Sequence, residues 1–541
     1  MIDITNKKPI IWTISGSDCS GGAGIAADIK TGHGLGVEVC HLITANTVQN
    51  SRQLLSVNAT SLEVLQQQAN LLIDDKPPSV IKIGLVANVE QVLWLANFLA
   101  QTQKIMPNLI SVYDPVGQAS VGGSFSALTL EQLAPLLRQI DVITPNLMEA
   151  KRLAAFVNED EDEAGDGGSK TDVSDAGTLA QKIYKDFAIT SIIIKGGHGE
   201  LGDQNAQDYS TDYCYHQLNQ LSEAKQDNQE KQHLAISYRL SSPRIATHYS
   251  HGGGCSFATA LSVFFAQGYL VRDAFTLAKV FISQGLKASE QVSELFGHQY
   301  YGAFEQPNWS HASSILAASF PYVNDELSLQ YQNLPAFNSL DLARKKLGLY
   351  PVIDSLYWLK RLLPLGLEII QLRIKNLSDD VLEQVIVEAV ALAKDYETRL
   401  FINDYWQLAI KHGAYGVHIG QEDLHYADLA KIQQSGIRLG ISTHGCYEFL
   451  LAQQLQPSYL AIGAIFPTKT KDMTGQIQGI DNLRQVLALR AKELTQQIPV
   501  VAIGGINLER ATAVVETGVH DHRHLNNNRN GFIEILESNL S

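Results

Sequence analysis

Four polar clusters in the second half of this chain, Gln371-Leu-Arg-Ile-Lys375, Phe401-Ile-Asn-Asp404, Gly420-Gln-Glu-Asp423 and Pro467-Thr-Lys-Thr-Lys471, each fall at or just after the C-terminal end of an apolar, strand-like run. Strand-end residues of a parallel α/β barrel converge on one mouth, so groups far apart in sequence can act on one substrate. Asp404 and Asp423 lie 19 residues apart, one βα unit. Two carboxylates at neighbouring strand ends suit a hard cation such as Mg2+, which keeps waters and substrate phosphates as its other ligands. Arg373, Lys375 and Lys471 at the same mouth would neutralise the charge on a departing diphosphate. The first half carries a different device. In Ser250-His-Gly-Gly-Gly-Cys255 the glycines precede an apolar stretch of helical spacing, leaving the first N–H groups of a helix to cradle an anionic oxygen. Cys255 would stand at the positive end of that helix, where a thiolate is favoured. Taken singly, the turn reads as a Gly-rich loop with a buried cysteine, and Asn403-Asp404 as a helix cap.

Positioning such groups takes two cores. The chain has 541 residues with 45% hydrophobic content, more than one ordinary domain uses. Apolar, β-rich runs at 10–14, 41–45, 80–85, 109–113, 141–143 and 191–194 alternate with helical spacing and predict a mainly parallel sheet flanked by helices. The acidic, Gly-rich stretch 158–175 and the Gln/Asn-rich stretch 217–233 read as solvated insertions. Periodicity fades over 296–332 and resumes near Tyr350, so the expected division is a first domain at 1–290, a linker at 291–340 and a second domain at 341–541. Seven strand-like runs in that second domain predict a (β/α)8 TIM barrel. An eighth strand is due after Gly518, but the chain there reads His520-Asp-His-Arg-His-Leu-Asn-Asn-Asn, a poor buried strand. One codon choice for that run, read one base later, spells Thr-Thr-Ile-Ala-Ile-Leu-Thr-Thr, so a shift of reading frame near Gly518 is expected.

With 41 Lys and Arg against 56 Asp and Glu, the formal charge of −15 argues against an extended nucleic-acid surface. Five scattered cysteines without a C-x-x-C pair suit a reducing compartment and give no structural zinc site. No run of about 18 apolar residues and no signal pattern is present, so the expectation is a soluble cytoplasmic protein. Its partners would be small molecules, with no membrane; homo-oligomerisation is compatible with the sequence.

The ordered set Ser15-Gly-Ser-Asp-Cys-Ser-Gly-Gly-Ala-Gly-Ile-Ala-Ala-Asp28, Thr44-Ala-Asn-Thr-Val-Gln-Asn50, Lys82-Ile-Gly84, Asp114-Pro-Val116, Thr144-Pro-Asn-Leu-Met-Glu149, Lys195-Gly-Gly-His198 and the 250–255 turn resembles the hydroxymethylpyrimidine and phosphomethylpyrimidine kinases of thiamine biosynthesis. The resemblance runs from about Ile10 to Ala288 and implies a ribokinase-like three-layer domain using ATP as phosphoryl donor. It implies that Gln49 hydrogen-bonds an aminopyrimidine with Asp28, Leu85 and Val116 around it. Gly252, Gly253 and Gly254 would stabilise the transferring phosphoryl group, with Cys255 where sugar kinases carry an Asp base. Asn146 and Glu149 would organise magnesium and water, and Lys195 would lie towards the nucleotide.

From Tyr350 to Gly518 the chain resembles thiamine phosphate synthase, which joins hydroxymethylpyrimidine diphosphate to a thiazole phosphate. That likeness implies that Gln371, Leu372, Arg373, Ile374, Lys375, Asn403, Ser442 and Lys471 hold the pyrimidine diphosphate, and that Asp404 and Asp423 hold Mg2+. Thr468, Lys469, Thr470 and Gly505 would meet the thiazole phosphate. The tail after Gly518 departs from the family where its last strand contacts that phosphate, which predicts impaired coupling. The competing reading is a pyridoxal-type kinase fused to a non-catalytic barrel acting as ligand sensor or structural partner.

Overall fold

The computed structural model describes residues 8–50, 53–116, 128–156, 175–196, 208–218, 235–247, 249–296, 303–309, 320–340, 349–467, 477–489, 498–519 and 531–533. The chain divides into two compact units, Met1–Asp325 and Glu326–Ser541.

The first unit is built on a sheet of ten strands. They are β1 (Ile10–Asp18), β2 (Glu38–Gln49), β3 (Leu54–Ala59), β4 (Val80–Ile83), β5 (Ile110–Tyr113), β6 (Val142–Ile143), β7 (Ser191–Ile194), β8 (Tyr209–Gln217), β9 (Ala235–Pro243) and β10 (Tyr322–Asn324). Their order across the sheet is β10-β9-β8-β7-β6-β5-β4-β1-β2-β3. The stretch from β7 to β2 is parallel, whereas β3 pairs antiparallel with β2, and β8, β9 and β10 add antiparallel strands at the other edge.

The parallel strands carry near-continuous apolar runs because helices cover both faces. Trp12, Ile14, Ile81 and Ile83 are fully buried. The antiparallel additions were not legible as apolar runs. Tyr209–Gln217 reads Tyr-Ser-Thr-Asp-Tyr-Cys-Tyr-His-Gln, polar enough to pass for loop, and it forms a strand because β7 offers it an open edge. Within 291–340, expected as linker, β10 pairs with β9.

Strand order reverses at β1, whose neighbours are β2 and β4. In open α/β sheets the crevice beyond the carboxyl ends at such a reversal is where ligands bind. The helix Gly253–Ala266 runs under this edge and is buried from Ser256 to Phe265, as an all-apolar helix must be.

In the second unit β11 (Val352–Ile353), β12 (Ile369–Leu372), β13 (Arg399–Asn403), β14 (Gly416–Ile419), β15 (Arg438–Thr443), β16 (Tyr459–Ile462), β17 (Val500–Ala502) and β18 (Gly531–Ile533) pair in parallel, each with the next. Helices intervene between them, which is the (β/α)8 barrel arrangement. Curvature is visible in the interior. The Tyr350 and Tyr459 hydroxyls meet at 2.6 Å although their strands are five apart in order, and Phe401 packs edge-on against Tyr459 with centroids 5.0 Å apart. Glycines make room for these rings. A Cβ on Gly440 would lie 2.2 Å from the Tyr459 ring, and one on Gly416 would lie 2.3 Å from that of Phe401. The last strand falls at 531–533 rather than directly after Gly518; the His/Asn-rich run 520–530 lies outside the described residues, among which no ladder joins β18 to β11.

Among the described residues no helix is long and apolar enough to cross a membrane. Gly440→Ala should destabilise the barrel by about 1–3 kcal/mol, because the methyl must displace a ring with no room to move. Chemical denaturation followed by a barrel-specific probe measures it, and an unchanged midpoint would show that Tyr459 can yield.

Candidate active sites

In the first unit, the end of β1 and the turn 250–254 are locked together. The Asp18 carboxylate accepts from the backbone N–H groups of Ser20 (2.8 Å), Gly22 (3.2 Å) and Ala23 (3.0 Å), from the Ser20 hydroxyl (2.8 Å), and from His251 Nε2 (2.8 Å). Burial alone would raise the pKa of Asp18, but the bonds from His251 and Ser20, together with the nearby Gln49 amide, outweigh it and hold the carboxyl far below its usual range. Gly252 has φ +84°, and a Cβ there would lie 1.8 Å from the Gly22 carbonyl oxygen, so only glycine fits. Gly252 caps the helix Gly253–Ala266, and a Cβ on Gly253 would meet nothing within 4 Å, so the first turn of the helix faces open space. The Gly253 N–H donates to the Ser250 carbonyl at 3.0 Å, so the N–H groups of Gly254 and Cys255 are the ones this turn can offer to an anion.

Behind the turn, Asp28 and Lys82 form an ion pair with no solvent exposure. Lys82 Nζ reaches both Asp28 oxygens at 3.0 and 2.9 Å, Thr259 donates to Oδ1 at 2.7 Å, and Thr13 donates to Oδ2. Asp28 was expected to line a pyrimidine pocket. It has 0% exposure and every oxygen engaged, so it instead ties β1, β4 and the helix Gly253–Ala266 to one another. Lys82, which carried no assigned role from sequence, sits at the centre of that knot. Burial presses its ammonium towards neutrality, and the carboxylates of Asp28 and Asp114 overcome this, holding it charged.

Cys255 also departs from expectation. It keeps an exposed edge beside the turn, yet the protein around its sulfur pushes the thiol up to about 11; Lys82 and the Gly24 backbone only partly offset burial. A helix N-terminus therefore does not make it a thiolate here, because loss of hydration outweighs the dipole.

Lys195 follows β7 and bonds Asp114 Oδ1 at 2.8 Å; its Nζ is 3.6 Å from where a Gly254 Cβ would stand, which brings the cation to the cradle itself. Burial opposes the Lys195 charge, and Asp114 and Glu149 raise its pKa above the ordinary value. Asn146 and Glu149 form a reciprocal capping box on the helix Leu147–Leu153, with bonds of 2.8 and 2.9 Å. Gln49, at the end of β2, is nearly buried close to Asp18 and helps to lower the pKa of that carboxyl. Leu85 is buried next to Gly16, and Val116 borders a small cavity of about 40 Å³ with Tyr113, Glu149 and Arg152.

In the barrel, the strand-end groups do converge. Asp404 adopts φ +67°, an uncommon conformation for a residue other than glycine, of the kind found where a site overrides local preference. Burial raises its pKa to about 6, Asp423 adds to the rise, and Arg373 and Lys375 counter it, so these four groups share one neighbourhood. Two carboxylates pressed together with no described third donor form an oxygen-only set, as fits Mg2+ with waters and phosphates completing its shell. Gln371 Nε2 donates to Asn403 Oδ1 at 2.7 Å. Leu372 and Ile374 are buried apolar side chains, so that run presents only Gln371, Arg373 and Lys375 as polar groups. Ser442 bonds His418 Nε2 at 2.7 Å, and His418 Nδ1 bonds the Tyr459 hydroxyl at 2.6 Å. Burial, aided by Arg373, drives His418 down to about 3, which keeps it a neutral link between the barrel interior and the mouth.

Gly505, at φ +66°, would carry a Cβ 2.5 Å from the Pro467 carbonyl, and so requires glycine. Thr468, Lys469, Thr470 and Lys471 lie outside the described residues. Sequence reasoning missed Asp18, Lys82, Asp114, His251 and His418 as site-building groups. Three-dimensional proximity was the missing signal, although each except His418 falls inside or beside a motif already singled out.

A sheet edge presenting a glycine cradle beside a lysine, and a barrel mouth pairing carboxylates with cations, describe an enzyme that handles phosphoryl and diphosphate groups. The family model for phosphomethylpyrimidine kinase matches residues 18–299, and that for thiamine monophosphate synthase matches residues 349–522, ending inside the His/Asn-rich run. The thiamine-phosphate synthase of Yersinia pestis (strain Pestoides F) is 57% identical over 186 residues, 34% of this chain and 82% of the relative. That of Proteus mirabilis (strain HI4320) is 57% identical over 175 residues, 32% of this chain and 79% of the relative. Among solved structures, pyridoxal kinase from Staphylococcus aureus in complex with pyridoxal is 23% identical with a TM-score of 0.43, covering 59% of this chain and 98% of that one. Phosphomethylpyrimidine kinase from Clostridium difficile 630 is 24% identical with a TM-score of 0.36, covering 51% and 99%. The chain belongs to the phosphomethylpyrimidine kinase family in its N-terminal part and to the thiamine monophosphate synthase family in its C-terminal part. It is an enzyme of thiamine biosynthesis.

Alkylation of Cys255 by iodoacetamide, followed by peptide mass spectrometry, should accelerate steadily from about pH 7 to about pH 9.5, roughly tenfold per unit, because the thiolate fraction is still rising. A plateau below about pH 8 would show a depressed thiol instead.

Proposed function

We propose that the first unit phosphorylates hydroxymethylpyrimidine and then its monophosphate with ATP, and that the second couples the resulting diphosphate to a thiazole phosphate, giving thiamine phosphate and diphosphate. Each unit, Met1–Asp325 and Glu326–Ser541, works as a domain in the cytoplasm on small-molecule substrates. The observation that carries the reading is the open glycine turn 252–254 with Lys195 beside it, at the sheet edge that also holds Gln49.

In the kinase, Gln49 offers an amide to the aminopyrimidine, its orientation set by Asp18; Leu85 and Val116 supply apolar surface. In the first step the substrate hydroxyl oxygen forms its bond to the γ-phosphorus as the bond to ADP breaks, and the hydroxyl proton passes to a transferring phosphoryl oxygen and on to solvent; in the second a phosphate oxygen of the monophosphate is the nucleophile. The N–H groups of the turn and Lys195 meet the charge on the transferring oxygens, which is most of what phosphoryl transfer requires. Cys255 enters as a thiol and orients the reacting hydroxyl, a role consistent with its raised pKa. Asn146 and Glu149 stand on the nucleotide side, with Glu149 available to hold magnesium-bound water.

In the synthase, the bond between the pyrimidine methylene carbon and the diphosphate oxygen breaks, and the thiazole nitrogen attacks that carbon. Gln371, Arg373, Lys375, Asn403, Ser442 and Lys471 hold the leaving diphosphate, while Thr468, Lys469, Thr470 and Gly505 hold the thiazole phosphate. Mg2+ held by Asp404 and Asp423 would supply further charge neutralisation.

Cys255→Ala should lower the phosphorylation rate by about 100-fold or more, measured by ATP consumption with the pyrimidine alcohol; a rate near that of the parent would refute the assigned role. Asp404→Asn should abolish magnesium-dependent coupling while the metal-free barrel loses no thermal stability, since asparagine tolerates the same backbone and removes the repulsion with Asp423. Lost stability would mean that Asp404 is there for the fold.

A further inference from the structure

The kinase family match ends at residue 299, yet Ala303–Trp309 lies directly on the phosphate turn. We propose that this segment is a built part of the kinase site, a strap that fixes the turn 250–256, with Gln306 as its positioning residue; the inference rests on reading that turn as the phosphoryl cradle.

Gln306 spans the two helices that open at the site. Its Nε2 donates to Ser256 Oγ at 2.7 Å and its Oε1 accepts from Thr31 Oγ1 at 2.9 Å. Ser256 follows Cys255 in the first turn of the helix Gly253–Ala266, and Thr31 lies on the helix Gly24–Gly34; neither residue is exposed to solvent. One amide therefore sets the spacing between the helix carrying the cradle and the helix carrying Asp28. A second tie acts on the turn itself, where the Phe304 N–H donates to the His251 carbonyl at 2.9 Å. His251 in turn bonds Asp18, so the strap, the turn and the β1 loop form one braced unit.

The strap is anchored at both ends. The Phe304 ring is buried against Phe281, and Trp309 packs edge-on against the same ring with centroids 5.4 Å apart. The Trp309 indole N–H donates to Gln284 Oε1 at 2.6 Å, and its backbone N–H to the Gly34 carbonyl at 2.9 Å. Where the strap crosses helices, the helices carry glycine. A Cβ on Gly285 would lie 2.1 Å from the Phe304 ring, and one on Gly34 would lie 2.8 Å from the Pro307 carbonyl oxygen. Glycine inside a helix costs stability relative to alanine, so two of them at the crossing points are explained by the close approach they permit.

The test uses the full chain with Gln306→Ala and Gln306→Glu. Alanine leaves the Ser256 and Thr31 hydroxyls unbridged, so kcat for phosphorylation of the pyrimidine alcohol should fall by about 10- to 100-fold, and hydrogen exchange should quicken at the amides of 252–256. Glutamate keeps the shape and lets both hydroxyls donate, so it should recover most of the rate and the protection. Unchanged kcat and exchange in Gln306→Ala would overturn the proposal, and so would faster exchange spread evenly through the unit, which marks a general stability element. If the parent chain fails to phosphorylate the pyrimidine, the kinase reading falls, while the exchange pattern still judges the strap.

Discussion

Parallel strands deliver their carboxyl ends to a single edge, and in both units of this chain the polar groups that build the candidate sites stand there: Asp18, Gln49 and Lys195 in the first, Arg373, Asn403 and Asp404 in the second. The constraint is geometric before it is chemical. A strand pointed the other way would carry its terminal side chain to the opposite side of the sheet, out of reach of the shared ligand. Hence residues separated by more than two hundred positions, such as Asp18 and His251, meet at hydrogen-bonding distance.

Buried charge is handled in opposite ways at the two edges. Asp28 and Lys82 are fully enclosed and fully paired, and Thr13 and Thr259 satisfy the carboxylate further. Such a pair adds little net stability but fixes the positions of what it joins, since breaking it would strand a charge in a dry interior. Asp404 and Asp423 are instead two like charges in proximity, eased among the described residues by Arg373 and Lys375. That arrangement is unfavourable without a cation and pre-organised for one, which is why Asp404, and not Asp28, has the marks of a ligand.

The strand-end motifs of the barrel were legible because each lay beside its own apolar run, and periodicity places such residues at a mouth. Leu372 and Ile374 were included with them only through the family likeness, and alternation along the strand buries them on the face opposite Ile369 and Gln371, away from the mouth. The glycine turn was legible for a related reason, since three glycines before a helix have few other uses. The chemistry of Cys255 was not. Helix position argued for a thiolate, whereas burial raises the thiol, Asp28 and Asp114 add to the rise and Lys82 only partly offsets it, and all three of those groups are far away in sequence.

Residue order alone thus determined two α/β cores, a glycine turn opening a helix and a carboxylate pair, because apolar spacing and local turn chemistry act over a few neighbouring residues. Only the tertiary structure decided that Asp28 is a tie rather than a wall of the pocket, that Asn146 and Glu149 cap each other, and that Ala303–Trp309 reaches back to the phosphate turn. Those outcomes depend on which distant groups each side chain meets in the interior, and burial, pairing and desolvation are properties of that encounter rather than of either residue alone.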